Sequence, residues 1–464
     1  MEKDLSAVAP LCQWTDFLAA HPDIKALDAF IIDVNGNAIG KRVQVEDAAA
    51  VFTDGVQFSA CALIADARGL GHNVQGMGGS DGDPDGVALP IGQTLCMAPW
   101  TQEPVAQVMC HMRDIEFRRS FWFDPRIILS NLVERCSEAG ILPVIACELE
   151  FYLVDPRRAA DGGVTLAAST PGAGAPRRAA NLSMDAVELN AIFLNKISAA
   201  AAAQRVPVCG AVAEYGIGQF EVNLRHVSDP LLAADHAVLL KRMVQGVARS
   251  MGMQASFMAK PFAHQPGNGL HVHMSLVDEA GANRFGTACT GTACTGTAGG
   301  DELLEQAIAG MQALMYDCVG IYAPNLNSHR RFLGPFVPTT LDWGHNNRSV
   351  AFRVPSSGAS GRRIEHRVAG ADASPHLVLA TILAAVLHGI THRLPATSQA
   401  TGRVRGGGGD FPKGLLAALD RMEKSAALAE YLPEKYLKLY SELKQKEHAA
   451  LTAEVFPVEY DFYL

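Results

Sequence analysis

Cys147-Glu148-Leu149-Glu150-Phe151 is the stretch on which the reading of this chain turns. Residues two apart in an extended strand share a face, so Glu148 and Glu150 lie together while Cys147, Leu149, Phe151 and Leu153 line the other face with apolar bulk. Other short segments repeat the pattern. His271, His273 and Ser275 alternate with Val272, Met274 and Leu276; Arg363, Glu365 and Arg367 stand opposite Ile364 and Val368; a further segment carries Glu214 and Glu221. Carboxylates crowded on one sheet face repel strongly at low dielectric unless cations sit among them. Glu148, Glu150, Glu214, Glu221 and Glu365 with His271 suit at least two hard divalent ions, Mg²⁺ or Mn²⁺, and the adjacent arginines point to phosphate. Taken singly, a Glu-x-Glu is more often a solvated strand face; agreement among separate blocks reverses that.

The 464 residues suffice for two or three domains, and 48% hydrophobic content for a large core. A net charge of −9 argues against nucleic acid or an anionic membrane as the main partner. Ten cysteines without CxxC spacing exclude zinc ribbons and thioredoxin-like chemistry and fit a reducing cytoplasm. Met1 to Leu5 lacks the basic opening of a signal peptide, and the apolar run Leu377 to Leu387, read as a buried helix, is too short to span a membrane.

Residues 27 to 45 predict a β-hairpin turning at Asn35-Gly36-Asn37. Residues 1–113 read as a small, mostly β domain and 114–464 as a larger α+β domain. Its helices are signalled by Asp124-Pro125 with Gly140, Asp229-Pro230 with Gly252, and Ser374-Pro375 with Gly389. Residues 69–86, 155–180 and 402–410 read as loop, as do residues 286–300, a near-repeat of Gly, Thr, Ala and Cys whose Cys289 and Cys294 are assigned no function. No GxxxxGK[ST] is present, and Gly216-x-Gly218 lacks a third glycine and a following helix. ATP would therefore be held by metals and arginines.

Seven blocks in order resemble the glutamine synthetase superfamily across nearly the whole chain. They are Cys147-Glu-Leu-Glu-Phe151, Glu214-Tyr-Gly-Ile-Gly-Gln-Phe-Glu221, Lys260-Pro with Gly267-Asn-Gly-Leu-His-Val-His-Met-Ser275, Asn327-Ser-His-Arg-Arg331, Asn347-Arg-Ser349, Arg353-Val-Pro355 and Arg363-Ile-Glu-His-Arg367. Near the front Asp83-Pro-Asp85, Thr94 and Pro99-Trp100 also fit. The resemblance implies an α+β fold, with an N-terminal β-grasp domain and a C-terminal catalytic domain whose curved antiparallel sheet forms a funnel. It also implies homo-oligomers of stacked rings, commonly dodecamers, with sites between subunits. Glu150, Glu214 and Glu221 would hold one metal; Glu148, His271 and Glu365 would hold a second against the ATP phosphates. His273 and Ser275 match nucleotide-side positions. Arg331 and Arg367, with Gly267 beside them, match the glutamate site, which Glu150 and His271 also border. Arg348 and Arg353 match the residues that stabilise the transferred phosphoryl group; Glu214, Arg331, Arg348 and Arg367 are the catalytic candidates. Glutamate would be phosphorylated to γ-glutamyl phosphate and then captured by a nitrogen nucleophile. The base is left open between Asp342 and Glu214.

The chain departs from ordinary glutamine synthetases where ammonium is held. Ser59, in Gly55-Val-Gln-Phe-Ser-Ala-Cys61, stands in place of an aspartate, and the shortened flap Arg331 to Pro338 carries Phe336 or Val337 in place of a glutamate. Ser and Phe do not hold a small cation well; an apolar flap residue suits a carbon chain. Together with Trp343-Gly-x-Asn-Asn-Arg348 and the run to Asp372, this resembles the γ-glutamylpolyamine (putrescine) synthetase branch, acting in polyamine catabolism. Alternatives are plain glutamine synthetase, a ligase for ethanolamine or a small alkylamine, or an inactive homologue. The tyrosine block used for adenylylation is missing. Arg330 and Arg362 are read as solvated, and His226, His366 and His376 as satisfied structural histidines. Arg348 and Arg353 have opposite strand parity, so a bend must lie between them if both reach one phosphate.

Overall fold

The Asn-Gly-Asn turn closes through Asp33, whose carboxylate accepts the N–H groups of Asn35 and Asn37 at 3.0 and 2.7 Å. It joins β1 (Ala26–Ile32) to β2 (Ala38–Gln44). In this computed structural model, which describes residues 9–115, 119–160, 162–167, 181–286, 300–334, 336–404 and 411–464, the hairpin belongs to a six-stranded sheet. β3 (Val56–Ser59), β4 (Asp85–Pro90), β5 (Cys96–Met97) and β6 (Val105–Asp114) complete it in the order β2-β1-β6-β4-β3, with β5 also on β6. β1 and β6 run parallel. The segments 168–180, 287–299 and 405–410, hence Cys289 and Cys294, lie outside the described residues.

A second sheet carries the acidic segments. Its strands are β7 (Leu142–Val154), β8 (Val208–Ala213), β9 (Gln219–Leu224), β10 (Gln254–Ser256), β11 (Leu270–Val277), β12 (Trp343–His345), β13 (Phe352–Val354) and β14 (Ile364–His366), in the order β12-β13-β14-β11-β7-β9-β8 with β10 also on β7. All pairs are antiparallel except β12 with β13. Register then does what parity predicts. Glu148 faces His271 on one side and Asn223 on the other, Glu150 faces Glu221, and Glu365 lies between His273 and Arg353. The apolar set Leu149, Phe151, Val222, Val272, Met274 and Ile364 is buried behind.

The helix starts behave as read at two sites of three. Asp124 accepts the Arg126 N–H at 2.8 Å, and Asp229 accepts from Leu231 and Leu232 at 2.9 and 3.3 Å. Ser374 makes no capping bond, and its hydroxyl is buried without a partner among the described residues. Gly389 does not end its helix, which continues to Thr391. It is a crossing point instead: a Cβ there would sit 2.0 Å from the Gln306 carbonyl oxygen of the helix Gly300–Tyr322. Leu377 to Leu387 is buried throughout, as expected. Replacing the exposed cap, Asp229→Ala, is expected to lower stability by about 1 kcal/mol, read as a shift of the urea midpoint.

Two buried polar ties fix these helices. Arg126 and His376 both bind Asp235, at 3.0 and 2.9 Å, which joins the helices Pro125–Glu138, Pro230–Ser250 and Pro375–Thr391 and satisfies one nitrogen of His376. Lys444, fully buried, donates to Asn35 and Asn325 at 2.5 and 3.2 Å; Asn325 and Ser328 bind Asp372 at 2.9 and 2.6 Å. That network anchors the short helix Leu326–Arg331 beside the second sheet. No helix among the described residues is long and apolar enough to cross a membrane.

Candidate active site

Glu148 is the hub of the acidic face. Its carboxylate lies 2.9 Å from His273 Nε2 and 3.5 Å from His271 Nδ1, and His271 Nδ1 is 3.9 Å from Glu221. Three sets of three donors each lie within 4.8 Å of one another: Glu150, Glu214 and Glu221; Glu148, Glu221 and His271; Glu148, His273 and Glu365. All six residues read as metal ligands are therefore brought together, with one difference in grouping. Glu365 clusters with His273 and not with His271, because β14 pairs with β11 so that Glu365 faces His273.

The charges are unequal. Burial and the neighbouring Glu148, Glu150 and Glu214 raise the pKa of Glu221 well above the carboxylate range. Burial and then Glu150 raise that of Glu214. For Glu148 burial is outweighed by His271 and His273, which hold it far below. The crowding at Glu150, Glu214 and Glu221 is what a divalent cation relieves, and their oxygens are hard donors, so the residues present fit such an ion.

Glu365 is held by arginines from both sides: Arg353 Nη1 donates at 2.7 Å and Arg367 Nη1 also donates. Burial opposes its charge, but Arg367, His271, His273 and Arg353 together bring its pKa down to about 2. Arg331 is buried, donates to the Val368 carbonyl at 2.7 Å and leaves Nε without a partner among the described residues. Glycines let it in. A Cβ at Gly269 would lie 2.8 Å from Arg331 Nη2 and 2.9 Å from His271 Nε2, and one at Gly267 would lie 2.7 Å from Arg331 Cγ. The Gly269 N–H also donates to Glu150 at 2.6 Å. Gly269→Ala is expected to cut kcat/KM for glutamate by about 100-fold, the cost of a displacement near 1 Å, with thermal unfolding as the control.

Arg348 sits exposed in the turn between β12 and β13, and that turn is the bend its opposite parity to Arg353 requires. It borders a cavity of about 1620 Å³ shared with Phe332, Phe336, Val337, Arg403 and Lys413. Phe336, in the left-handed region at φ 68°, stacks on Tyr215 with ring centroids 4.8 Å apart. The Tyr215 N–H donates to Glu214 at 3.2 Å. Of the two flap residues, Phe336 is the one that stacks on Tyr215, next to Glu214 in the chain. Glu214 lies within a donor cluster with Glu150 and Glu221, and Asp342, just before β12, belongs to no such cluster among the described residues.

Ser275 lines a second cavity, of about 580 Å³, with His226, Asn283, Ser360 and Arg363. Arg363 Nε donates to His273 Nδ1 at 3.1 Å. His226, given no role from sequence, belongs to this side of the site, its ring 6.1 Å from that of His273. The shared parity of Arg363 with Glu365 was the available clue for the arginine; nothing local marked His226. Among the described residues His366 is not a satisfied histidine: it is buried between Tyr322 and Phe352, neither ring nitrogen bonds outside its own residue there, and burial pushes its pKa down to about 3. Arg330 is exposed, but Arg362 pairs with Asp301 at 2.5 Å and donates to the Phe285 carbonyl. Asn223, also unforeseen, donates to Glu221 at 2.9 Å.

Ser59 stands where the sequence sets it in place of an aspartate, and an acid from elsewhere in the chain lies next to it. Ser59 donates its hydroxyl to Asp83, which occupies a left-handed conformation at φ 50°. A carboxylate therefore stands beside Ser59, supplied by the Gly-rich loop.

Fold and site define a ligase that forms carbon–nitrogen bonds with ATP. Residues 123–463 match the family model described as glutamine synthetase, catalytic domain, and the chain belongs to the glutamine synthetase family. It is 36% identical over 434 residues to gamma-glutamylputrescine synthetase PuuA of Escherichia coli (strain K12), covering 93% of this chain and 90% of that protein. Glutamate–isopropylamine ligase of a Pseudomonas species is 29% identical, with 92% of each chain covered. Among solved structures, ligand-free GmaS superposes with a TM-score of 0.78 at 25% identity, covering 95% of this chain and 97% of that one. The family works with ATP and divalent metal ions.

Proposed function

We propose that this enzyme joins the γ-carboxyl of glutamate to a primary amine of the diamine or polyamine class, in polyamine catabolism, by way of γ-glutamyl phosphate. One observation supports the amine assignment: the flap residue Phe336 stacks on Tyr215, the chain neighbour of Glu214, where an ammonium-handling enzyme has an acid. The similarity to gamma-glutamylputrescine synthetase supports it.

In this reading Glu150, Glu214 and Glu221 hold one divalent ion, Mg²⁺ or Mn²⁺, and Glu148, His271 and Glu365 a second, with His273 in reach. Such ions, when bound, neutralise charge on the phosphate oxygens. His273, Ser275, His226 and Arg363 line the nucleotide side. Arg331 and Arg367 grip glutamate across the gap that Gly267 and Gly269 leave. A γ-carboxylate oxygen of glutamate attacks the γ-phosphorus of ATP and ADP departs; Arg348 and Arg353 meet the charge on the transferring group. The amine nitrogen then attacks the acyl carbon and phosphate departs. Glu214, its pKa raised by burial and Glu150, is suited to take the amine proton. The reading keeps a domain border near residue 113, a cytoplasmic location and a ring-shaped homo-oligomer with sites between subunits.

Phosphate release with glutamate and ATP, measured across putrescine, spermidine, ethanolamine, isopropylamine and ammonium, tests this. Turnover is expected with putrescine or spermidine; strong ammonium turnover and none with the polyamines overturns it. That second result favours the ammonia reading, for which Asp83 beside Ser59 offers a carboxylate. Phe336→Glu is expected to move the ratio of polyamine to ammonium kcat/KM toward ammonium by about 10-fold or more.

A further inference from the structure

His388 and His392 stand one turn apart at the end of the helix Pro375–Thr391, with ring centroids 4.5 Å apart. Glu430, just past the short helix Ala426–Ala429, faces them, its Oε2 3.8 Å from His392 Nε2. One donor atom of each lies within 4.8 Å of the other two. The His388 ring is fixed from behind: Nδ1 lies 3.2 Å from the Tyr431 hydroxyl, and the two rings meet edge to face. With Nδ1 engaged, Nε2 is the free donor of His388, and a ligating histidine held this way through its other nitrogen is the usual outer partner of a metal site. Tyr431 is itself held, with the Arg135 guanidinium 4.7 Å over its ring and donating to the Glu430 carbonyl at 2.7 Å. The cluster shares no residue with the catalytic carboxylates.

Two imidazoles at i and i+4 with one carboxylate are a poor match for Mg²⁺, which favours oxygen donors and octahedral geometry, and a good match for zinc and its neighbours. The Arg135 charge works against a cation here and the Glu430 charge works for it. Exposure of His392 and Glu430, at 47% and 54% of their side-chain surface, leaves room for water to complete the coordination. We propose a second metal site, separate from the catalytic centre, at which His388, His392 and Glu430 bind a divalent ion of the zinc class and clip the helix end to the segment Ser425 to Tyr431.

The test uses the full chain, stripped with chelator and returned to saturating Mg²⁺ so that the catalytic carboxylates are occupied. Zinc is then titrated by equilibrium dialysis with elemental analysis. The wild type is expected to hold one more zinc per chain than the variant His388→Ala/His392→Ala, and to gain thermal stability from zinc that the variant does not. Tyr431→Phe is expected to keep the stoichiometry and weaken affinity by about 10-fold or more, a loss that mere surface adsorption would not show. Circular dichroism and unchanged Mg²⁺-dependent phosphate release check that the variants are folded. Equal zinc content and affinity in wild type and double variant overturns the proposal.

Discussion

Glu221→Gln is expected to stabilise the metal-free protein at neutral pH while abolishing most of its response to Mg²⁺ and its ATP turnover. Glu221 is buried against three other carboxylates, and its pKa is raised first by that burial and then by Glu148, Glu150 and Glu214. The sign follows from linkage. A carboxyl whose folded pKa exceeds its unfolded value favours the folded state when protonated. That contribution is complete below the unfolded pKa near 4.5 and is lost as pH rises through the raised folded value. A glutamine keeps the shape and still accepts from Asn223, but carries no charge to repel. Mg²⁺ at 100 times its Kd adds about 2.7 kcal/mol to the wild type; a variant lacking a shared ligand forfeits most of that. Turnover should fall by on the order of 10²- to 10³-fold, as when one preorganised charge-stabilising group is lost. Thermal unfolding at pH 5 and pH 7, with chelator and with Mg²⁺, reads the stability changes, and phosphate release reads the turnover. A variant less stable than wild type at pH 7 without metal, yet shifted equally by Mg²⁺, would remove the basis for a metal centre here.

Much of the acidic face was legible because strand parity is a hard constraint: Glu148 with Glu150, His271 with His273 and Arg363 with Glu365 had to share a side wherever the strands went. What parity does not give is which strands pair and in what register. Register sets Glu365 opposite His273, which brings His273 within reach of the set that the resemblance gives as Glu148, His271 and Glu365. Helix starts at Asp124 and Asp229 were readable because a cap is local chemistry. Ser374 and Gly389 misled because tertiary packing decides them: the serine is buried without its bond, and the glycine is needed where two helix backbones touch. The roles of His226 and Asp83 could not be read from sequence, although Asp83 lies in a matching segment, since each acts on a partner far along the chain, His273 in one case and Ser59 in the other.

Arg348→Ala and Arg353→Ala are expected to separate catalysis from stability, although both arginines have the same proposed role at the transferring phosphoryl group. Arg353 is already committed, donating to Glu365 at 2.7 Å and to Asn346 at 3.0 Å. Removing it leaves a carboxylate that is 1% exposed with Arg367 as its remaining arginine. A loss of about 1–3 kcal/mol of stability should therefore accompany its loss of activity. Arg348 is exposed in its turn and makes no hydrogen bond or ion pair among the described residues, though its charge is felt at Glu214. Its removal should leave stability within about 0.5 kcal/mol of wild type, while kcat falls by about 10³-fold or more with a much smaller change in the KM for glutamate, the signature of an arginine that acts on the transition state. Arg348→Lys should recover a minor part of the rate, since a point charge replaces the planar fork. Steady-state kinetics on the three variants, beside urea unfolding, decide the matter. An Arg348→Ala enzyme with kcat near wild type would take this residue out of the phosphoryl step, and a matching loss of stability would recast it as part of the scaffold.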